Sequence, residues 1–317
     1  MKRWWMRFFT YIIILFLSWS LAGANEKKSR AHSFNLIIRE GFGSIGVGDM
    51  NTTLKSINSM FDWVRSYHPE MCVGEITEIP ASYVDWEVEL QWAIGSGFII
   101  GVAVSGPLHF HDRSFLTYTI VGYAGTQTEN RTYDSKINVS MPIKLNLYRS
   151  FSIHPKLNLS INGGLGYYQA RLMQSFTNEM RLPLDSHVIE IIDFDVSGRR
   201  IGAHCGAGLE YKFNDRFFLL VEGQFNFSRV KHFSGTSSSS RRVFDEQGNF
   251  YGSYDGSFEG ILYHYIGEDF SVGLAREKLL VSEFPLEIGV DLPYDIREAF
   301  LDLRGFALRF GLKIRLF

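Results

Sequence analysis

Cysteine, proline, surplus charge and long apolar runs are all scarce in this chain, and each shortage excludes something. Only Cys72 and Cys205 occur in 317 residues, so a disulfide-stapled scaffold is ruled out. Their settings also differ, Cys205 on the apolar row of a strand and Cys72 in a loop after a helical stretch, so two isolated reduced thiols are expected. The net charge is −2, which supplies no bulk attraction to nucleic acid or to an anionic surface. Beyond the first two dozen residues no segment approaches the roughly eighteen unbroken apolar residues of a membrane helix. What the chain does have is aromatic side chains, with 27 Phe and 15 Tyr against 8 Pro. That balance suits strands that carry aromatic girdles.

The N-terminus reads as an export signal. Met1-Lys2-Arg3 is positive, Phe8 to Leu17 is apolar apart from Thr10, and Ala22-Gly23-Ala24 matches a small-residue cleavage site. Residues 1–24 are therefore expected to be a signal peptide, and 25–317 a single β-barrel domain.

The rest of the chain alternates with period two. Trp86, Val88, Leu90 and Trp92 oppose Asp85, Glu87, Glu89 and Gln91. After a turn at Gly95-Ser96-Gly97, Phe98, Ile100, Val102 and Val104 continue the pattern. Ile137 to Leu147 alternates against Lys136 to Asn146, with Pro142 as a fault that a bulge would have to absorb. Leu157 to Tyr167, Ile201 to Tyr211 and Phe217 to Phe227 follow, although Phe218 and Leu220 spoil the start of the last polar row. Finally, Phe306, Leu308, Phe310, Leu312, Ile314 and Leu316 oppose Ala307, Arg309, Gly311, Lys313 and Arg315. Phe317 then falls one residue out of step with the apolar row.

Turn lengths suggest a topology. Short links near 95–97, 149–154 and 214–215 alternate with long excursions at 45–80, 106–132, 172–197 and 233–300, as in barrels with short inner turns and long outer loops. Within the first excursion, Asp49 to Tyr67 has helical spacing, with Asn51 placed to cap it and Leu54, Ile57, Phe61 and Val64 on one face. The expected fold is all-β, an antiparallel transmembrane β-barrel of eight strands. Ten is the alternative, because Thr117–Thr126 and Gly260–Tyr265 are also strand-like.

The stretches Gly202–Tyr211, Val221–Gln224 and Asp302–Phe306 resemble the small bacterial outer-membrane β-barrel proteins of OmpA/OmpX type. The closing strand is similar to the C-terminal assembly signal of outer-membrane barrels. The resemblance implies a bacterial outer-membrane location, contact with outer-membrane lipids, and engagement of the barrel assembly machinery through the C-terminal strand. It implies a structural or surface-binding role, and it defines no activity, no cofactor and no surface ligand.

Two sets of residues follow from the rows. The lipid-facing set is Trp86, Trp92, Leu145, Leu165, Leu209, Phe225, Phe310 and Leu312. The lumen set, where charges must be paired to be tolerated, is Glu87, Glu89, Lys144, His204, Glu210, Lys212, Glu222, Arg309 and Lys313. An eight-strand interior is filled by side chains, so no open pore is expected. No catalytic residue and no metal site stands out. His109 and His111 share a side but are only two ligands. A lipid-cutting enzyme would need Ser and His on the outward rows, which hold neither. Two alternatives remain open. One is an outer-membrane enzyme with a rim active site near Asp255, His264, Glu268 and Asp269, acting on outer-leaflet lipid or peptide. The other is a soluble periplasmic β-barrel whose apolar rows face inward around a hydrophobic ligand.

Overall fold

The structure, a computed structural model, describes residues 33–95, 97–122, 125–182, 186–269, 274–283 and 295–316. The expected signal peptide and Phe317 lie outside the described residues. In chain order the elements are β1 (Ser33–Ser44), α1 (Asp49–Tyr67), β2 (Cys72–Glu75), β3 (Ser82–Gly95), β4 (Phe98–Ser105) and β5 (Leu108–Gly122). Next come β6 (Gly125–Val139), β7 (Ile143–His154), β8 (Leu157–Arg181), β9 (His187–Lys212), β10 (Phe217–Asn226) and β11 (Arg229–Val230). The last are β12 (Ser234–Phe244), β13 (Phe250–Asp269), β14 (Leu274–Ser282), β15 (Asp295–Glu298), β16 (Leu301–Asp302) and β17 (Gly305–Arg315).

The fold is all-β and antiparallel, but with seventeen strands among the described residues rather than eight or ten. Their pairing resolves the difference into two storeys. β1 pairs β3, β3 pairs β4, β4 pairs β7, and β7 pairs β8. β8 pairs β9, β9 pairs β10, β10 pairs β17, and β17 returns to β1. These eight strands form a closed circuit of ladders, which leaves no unpaired edge in this storey.

The second storey continues the same lines. β8 pairs β7 as far as Tyr167 and β6 from Ala170 onward. Along β9, residues 204–212 pair β10 and residues 187–197 pair β12. β5 likewise prolongs β4 and pairs β6, while β2 pairs β5. The excursions expected as loops at 106–132 and 172–197, and most of the one at 233–300, are therefore strand hairpins. Proline explains where the lines break. Pro107 separates β4 from β5, and Pro142 separates β6 from β7, because a prolyl nitrogen cannot donate to a ladder.

α1 takes the expected bounds. Met50, Leu54, Ile57 and Phe61 are buried on one face, the i, i+4, i+7 spacing of an amphipathic helix. They pack against Leu116, Tyr118, Tyr133, Leu172 and Phe194 of the storey wall in one apolar cluster. The expected cap is wrong: Gly48 is the N-cap residue, with a φ of 83° that suits glycine. Asn51 instead clamps the chain at Ile79, accepting from its backbone N–H at 2.8 Å and donating to its C=O at 3.0 Å.

Candidate functional site

Along one continuous strand the wall reverses its polarity. In β9, the outward side chains Ile201, Leu209 and Tyr211 are exposed, while His204 and Glu210 are buried inside. Above them Val196 and Phe194 are buried, and Arg199 is exposed on the outward row. β8 does the same, with Leu165 and Tyr167 outward below, and Tyr168, Ala170 and Leu172 inward above. The crossover rows coincide, since Tyr167 lies opposite Ile201, and Gln169 opposite Arg199. The lower ring is polar inside and apolar outside; the upper storey is built like a soluble domain.

All eight residues expected on the apolar wall point outward. Trp86, Trp92, Leu145, Leu165, Leu209, Phe225 and Phe310 are exposed, and Leu312 is half-buried. The reading of a soluble barrel with apolar rows inside does not fit this arrangement.

Inside the ring lies a layer of charge. Glu87 is its hub: fully buried, it accepts from Arg39 at 2.5 Å, Lys144 at 2.6 Å, Ser105 at 2.9 Å and Arg309 at 3.2 Å. Arg309, the largest fully buried side chain, also donates to Asp85 and Gln224, each at 2.7 Å. Arg39 reaches Glu89 at 2.7 Å and Glu222 at 3.4 Å. Tyr148 donates to Glu89 at 2.8 Å and accepts from Arg39 at 3.0 Å. Asn146 donates to Glu89 at 2.9 Å and, through its Oδ1, meets His204 Nε2 at 2.6 Å. The bonds span the interior, since Lys144 on β7 also meets Gln224 on β10, two strands beyond its neighbour, at 3.4 Å.

Room for these long side chains comes from glycine. A Cβ on Gly41 would meet Arg309 Cγ at 2.8 Å, and one on Gly311 would meet Arg39 Cγ at the same distance. Toward the end holding the short links, Glu210 pairs with Lys313 at 3.0 Å. Phe218 and Leu220, which broke the polar row in the sequence, are buried there. Charge is thus sandwiched between an apolar base and the apolar core above.

Of the nine residues expected in the lumen, Glu87, Glu89, Lys144, Glu222 and Arg309 form one ion-pair network. His204 joins through Asn146, and Glu210 and Lys313 make a separate pair. Lys212 does not belong: it pairs with Asp215 at 2.6 Å at the exposed turn. Reasoning from sequence missed Arg39, Asp85, Asn146, Tyr148 and Gln224. Asp85 lies in the same polar row as Glu87 and Glu89, so that row already carried the signal. Arg39 sits on β1, whose inward row of Asn35, Ile37, Arg39 and Gly41 reads weakly because Glu40 interrupts the apolar side.

The storey above has its own locks. Asp49, buried at the start of α1, accepts two hydrogen bonds from Arg297, at 2.5 and 2.7 Å, and one from the Phe300 backbone at 2.8 Å. Burial pushes the Asp302 carboxyl up, but hydrogen bonds from Arg304 and the charge of Arg229 outweigh that and hold it below the usual carboxylate range. A hydrogen bond from Arg171 does the same for Asp195. His109 meets Asn138 at 2.8 Å, and His111 meets Asp134 at 3.0 Å, so they serve different partners. His264 is buried against Glu277 at 2.8 Å, and Asp255 is exposed on β13. The side chains of Glu268 and Asp269 lie outside the description. Both cysteines are free, Cys72 buried and Cys205 on the outward row. Among the described residues no group of three or more His, Cys, Asp or Glu could hold a metal ion.

No protein-family model matches the chain, and no curated protein matches it. Solved structures that match the chain, at low TM-scores, include outer-membrane proteins. A major outer membrane protein from Thermus thermophilus is 11% identical over 90% of this chain and 100% of its own, at a TM-score of 0.34. The outer membrane protein OprG from Pseudomonas aeruginosa is 8% identical over 89% and 95%, also at 0.34. The outer membrane protease OmpT from Escherichia coli is 11% identical over 93% and 100%, at 0.28. Likeness this remote says nothing of function, which rests on the chain's own geometry.

Proposed function

We propose that the chain is a bacterial outer-membrane β-barrel whose eight-strand ring crosses the bilayer and whose upper storey stands outside as a rigid surface-binding scaffold. The observation that carries this reading is the inverted ring. Apolar side chains cover its outside, while four cations (Arg39, Lys144, Arg309, Lys313) and five carboxylates (Asp85, Glu87, Glu89, Glu210, Glu222) are buried within, an arrangement stable in lipid and costly in water. The height fits as well. From Ile201 to Tyr211 the outward row of β9 runs about 33 Å along the strand, which a tilt of about 40° projects to about 25 Å, the apolar band of an outer-membrane barrel.

On this reading the signal peptide is removed on export, the outward rows meet outer-membrane lipid, and β17 is the strand offered to the barrel assembly machinery. The interior is plugged by its ion pairs and passes no solute stream. The storey, a wall of hairpins around α1, offers a large preformed surface for a partner. No residue is assigned a catalytic role.

Two measurements test the reading. Purified protein should need detergent for extraction and show gel mobility that changes on heating. Reconstituted in a planar bilayer, it should give no stepwise conductance. Extraction by salt alone would overturn the membrane assignment, and steady channel steps would overturn the plug.

A further inference from the structure

The outside of the upper storey carries two hollows on one stretch of wall. The first, about 300 Å³, is lined by Lys136, Met173, Ser175, Asp193 and Thr236, among others. The second, about 320 Å³, is lined by Phe115, Thr117, Asn130, Thr132, Thr177 and Glu179, among others. Both reach the lower end of the volumes that hold small ligands, about 300–1,000 Å³. Both lie over β6 and β8, whose ladder sets Asp134 opposite Ser175, Thr132 opposite Thr177 and Asn130 opposite Glu179. Thr132, Ser175, Thr177 and Asp193 point outward yet are half-buried, so the wall is concave here. The hollows follow one another along the strands, and from Met173 to Glu179 they make one trough about 20 Å long.

The chemistry of the trough narrows what it holds. β6 is paired on its two sides by β5 and β8, and β8 in turn by β6 and β9. Their backbone groups are therefore spent, and a peptide has no edge here to join as a strand. Recognition falls to side chains, and these are hydroxyls, an amide and carboxylates. Thr117 donates to Asn130 Oδ1 at 2.8 Å, which leaves the amide N–H groups of Asn130 free to donate outward. Glu179 beside it makes no ion pair among the described residues, and neither does Asp193 in the first hollow. The other charges nearby are matched, Lys136 with Asp134 and Arg171 with Asp195.

An adjacent amide and carboxylate, one donating and one accepting, suit neighbouring hydroxyls on a ring. Hydrogen bonds to a carboxylate are the stronger kind. Phe115, 62% exposed at the rim, offers an apolar plate that the C–H face of a sugar ring would cover. Because the unmatched charges lining the hollows are both negative, an acidic ligand is repelled.

We propose that this trough binds a chain of uncharged sugar residues laid along β6 and β8. Two hollows on one line fit a chain better than a single ring. The proposal rests on the reading that the storey stands outside the membrane, which leaves the trough open to glycans at the cell surface.

The test uses the full-length protein in micelles of a sugar-free detergent. It is titrated calorimetrically with maltoheptaose, cellopentaose and chitopentaose as neutral probes and with hexagalacturonate as the acidic one. At least one neutral chain should bind, roughly tenfold more tightly than its own monosaccharide because two hollows are engaged at once; hexagalacturonate should not bind. Glu179→Ala and Phe115→Ala should each weaken binding roughly tenfold. Ser175→Tyr, at an outward strand position that accepts an aromatic side chain, fills the trough between the hollows and should abolish binding. Lys55→Ala, exposed on α1, should leave the affinity unchanged. No binding of any neutral probe, a monosaccharide held as tightly as its chain, equal binding of hexagalacturonate, or wild-type affinity in Ser175→Tyr would each overturn the proposal. Gel mobility on heating, read on the same samples, tells separately whether the barrel reading holds.

Discussion

Replacing Arg309 by methionine tests whether the charge layer is a structural unit. The guanidinium is 1% exposed and engages Asp85, Glu87 and Gln224. Methionine keeps much of the volume and removes the charge, leaving Arg39 and Lys144 to face Asp85, Glu87, Glu89 and Glu222. Asp85 then loses the one cation within ion-pairing distance of it among the described residues. At an effective dielectric constant of about 20, one such pair with charge centres about 4 Å apart is worth about 4 kcal/mol. Breaking a buried pair from one side costs about 3–5 kcal/mol, because the abandoned charge stays desolvated. The single variant should therefore lose about 4 kcal/mol in reversible urea unfolding from micelles. Adding Asp85→Asn removes the orphaned charge, and the double variant should recover more than half of that loss. Two results would refute the argument: a cost below about 1 kcal/mol for Arg309→Met, or a double variant no more stable than the single one.

Three further outcomes are expected. Gly101→Leu drives a side chain into the space held by Glu89; it should destabilise the barrel by roughly 1–3 kcal/mol, read in the same unfolding assay. Asp49→Ala removes the bidentate partner of Arg297 and should loosen α1 by about 2 kcal/mol; hydrogen exchange should speed up in α1 and stay unchanged in β3 and β17. Acid should open the storey before the ring. The carboxyls of Asp302 and Asp195 titrate below their ordinary range when folded. The stability they add is thus present above the usual carboxylate range and lost as pH falls through their folded values. Proteolysis near α1 and β16 should rise between about pH 4 and pH 2, and a flat profile would contradict the assignment.

Why the ring was legible in the sequence and the storey was not comes down to phase. In the ring the outward rows are apolar, with Glu40 of β1 an interruption, so period two shows directly in Trp86–Trp92 or Phe306–Leu316. In β8 the apolar positions run on odd numbers to Tyr167 and then on even numbers from Tyr168. β9 makes the same slip between Val196 and Ile201. Read along the sequence, a slip of phase looks like a strand ending, and so 172–197 resembled a loop. The cause is a change of surroundings along an unbroken strand, and only pairing with neighbours reveals the strand's continuity. Within the site, Glu87, Glu89, Lys144 and Arg309 were visible because their rows were clean. Lys212 was misplaced because its row leaves the interior one residue earlier, at Glu210. Asn51 looked like a cap by residue type, yet its amide serves Ile79 far along the chain.

The breaks at Pro107 and Pro142, level with the polarity crossover, bear on how such a chain tolerates change in length. In an unbroken barrel strand, inserting one residue would turn every later side chain to the opposite face. Here β4 and β5, and likewise β6 and β7, keep separate registers on either side of a proline. The β5–β6 hairpin can be lengthened, shortened or exchanged without disturbing the alternation of Phe98–Ser105 or Ile143–His154 below it. β8 and β9 lack that freedom and hold the two storeys in fixed alignment. A change of length in the β5–β6 hairpin is thus one that the closed eight-strand ring does not register.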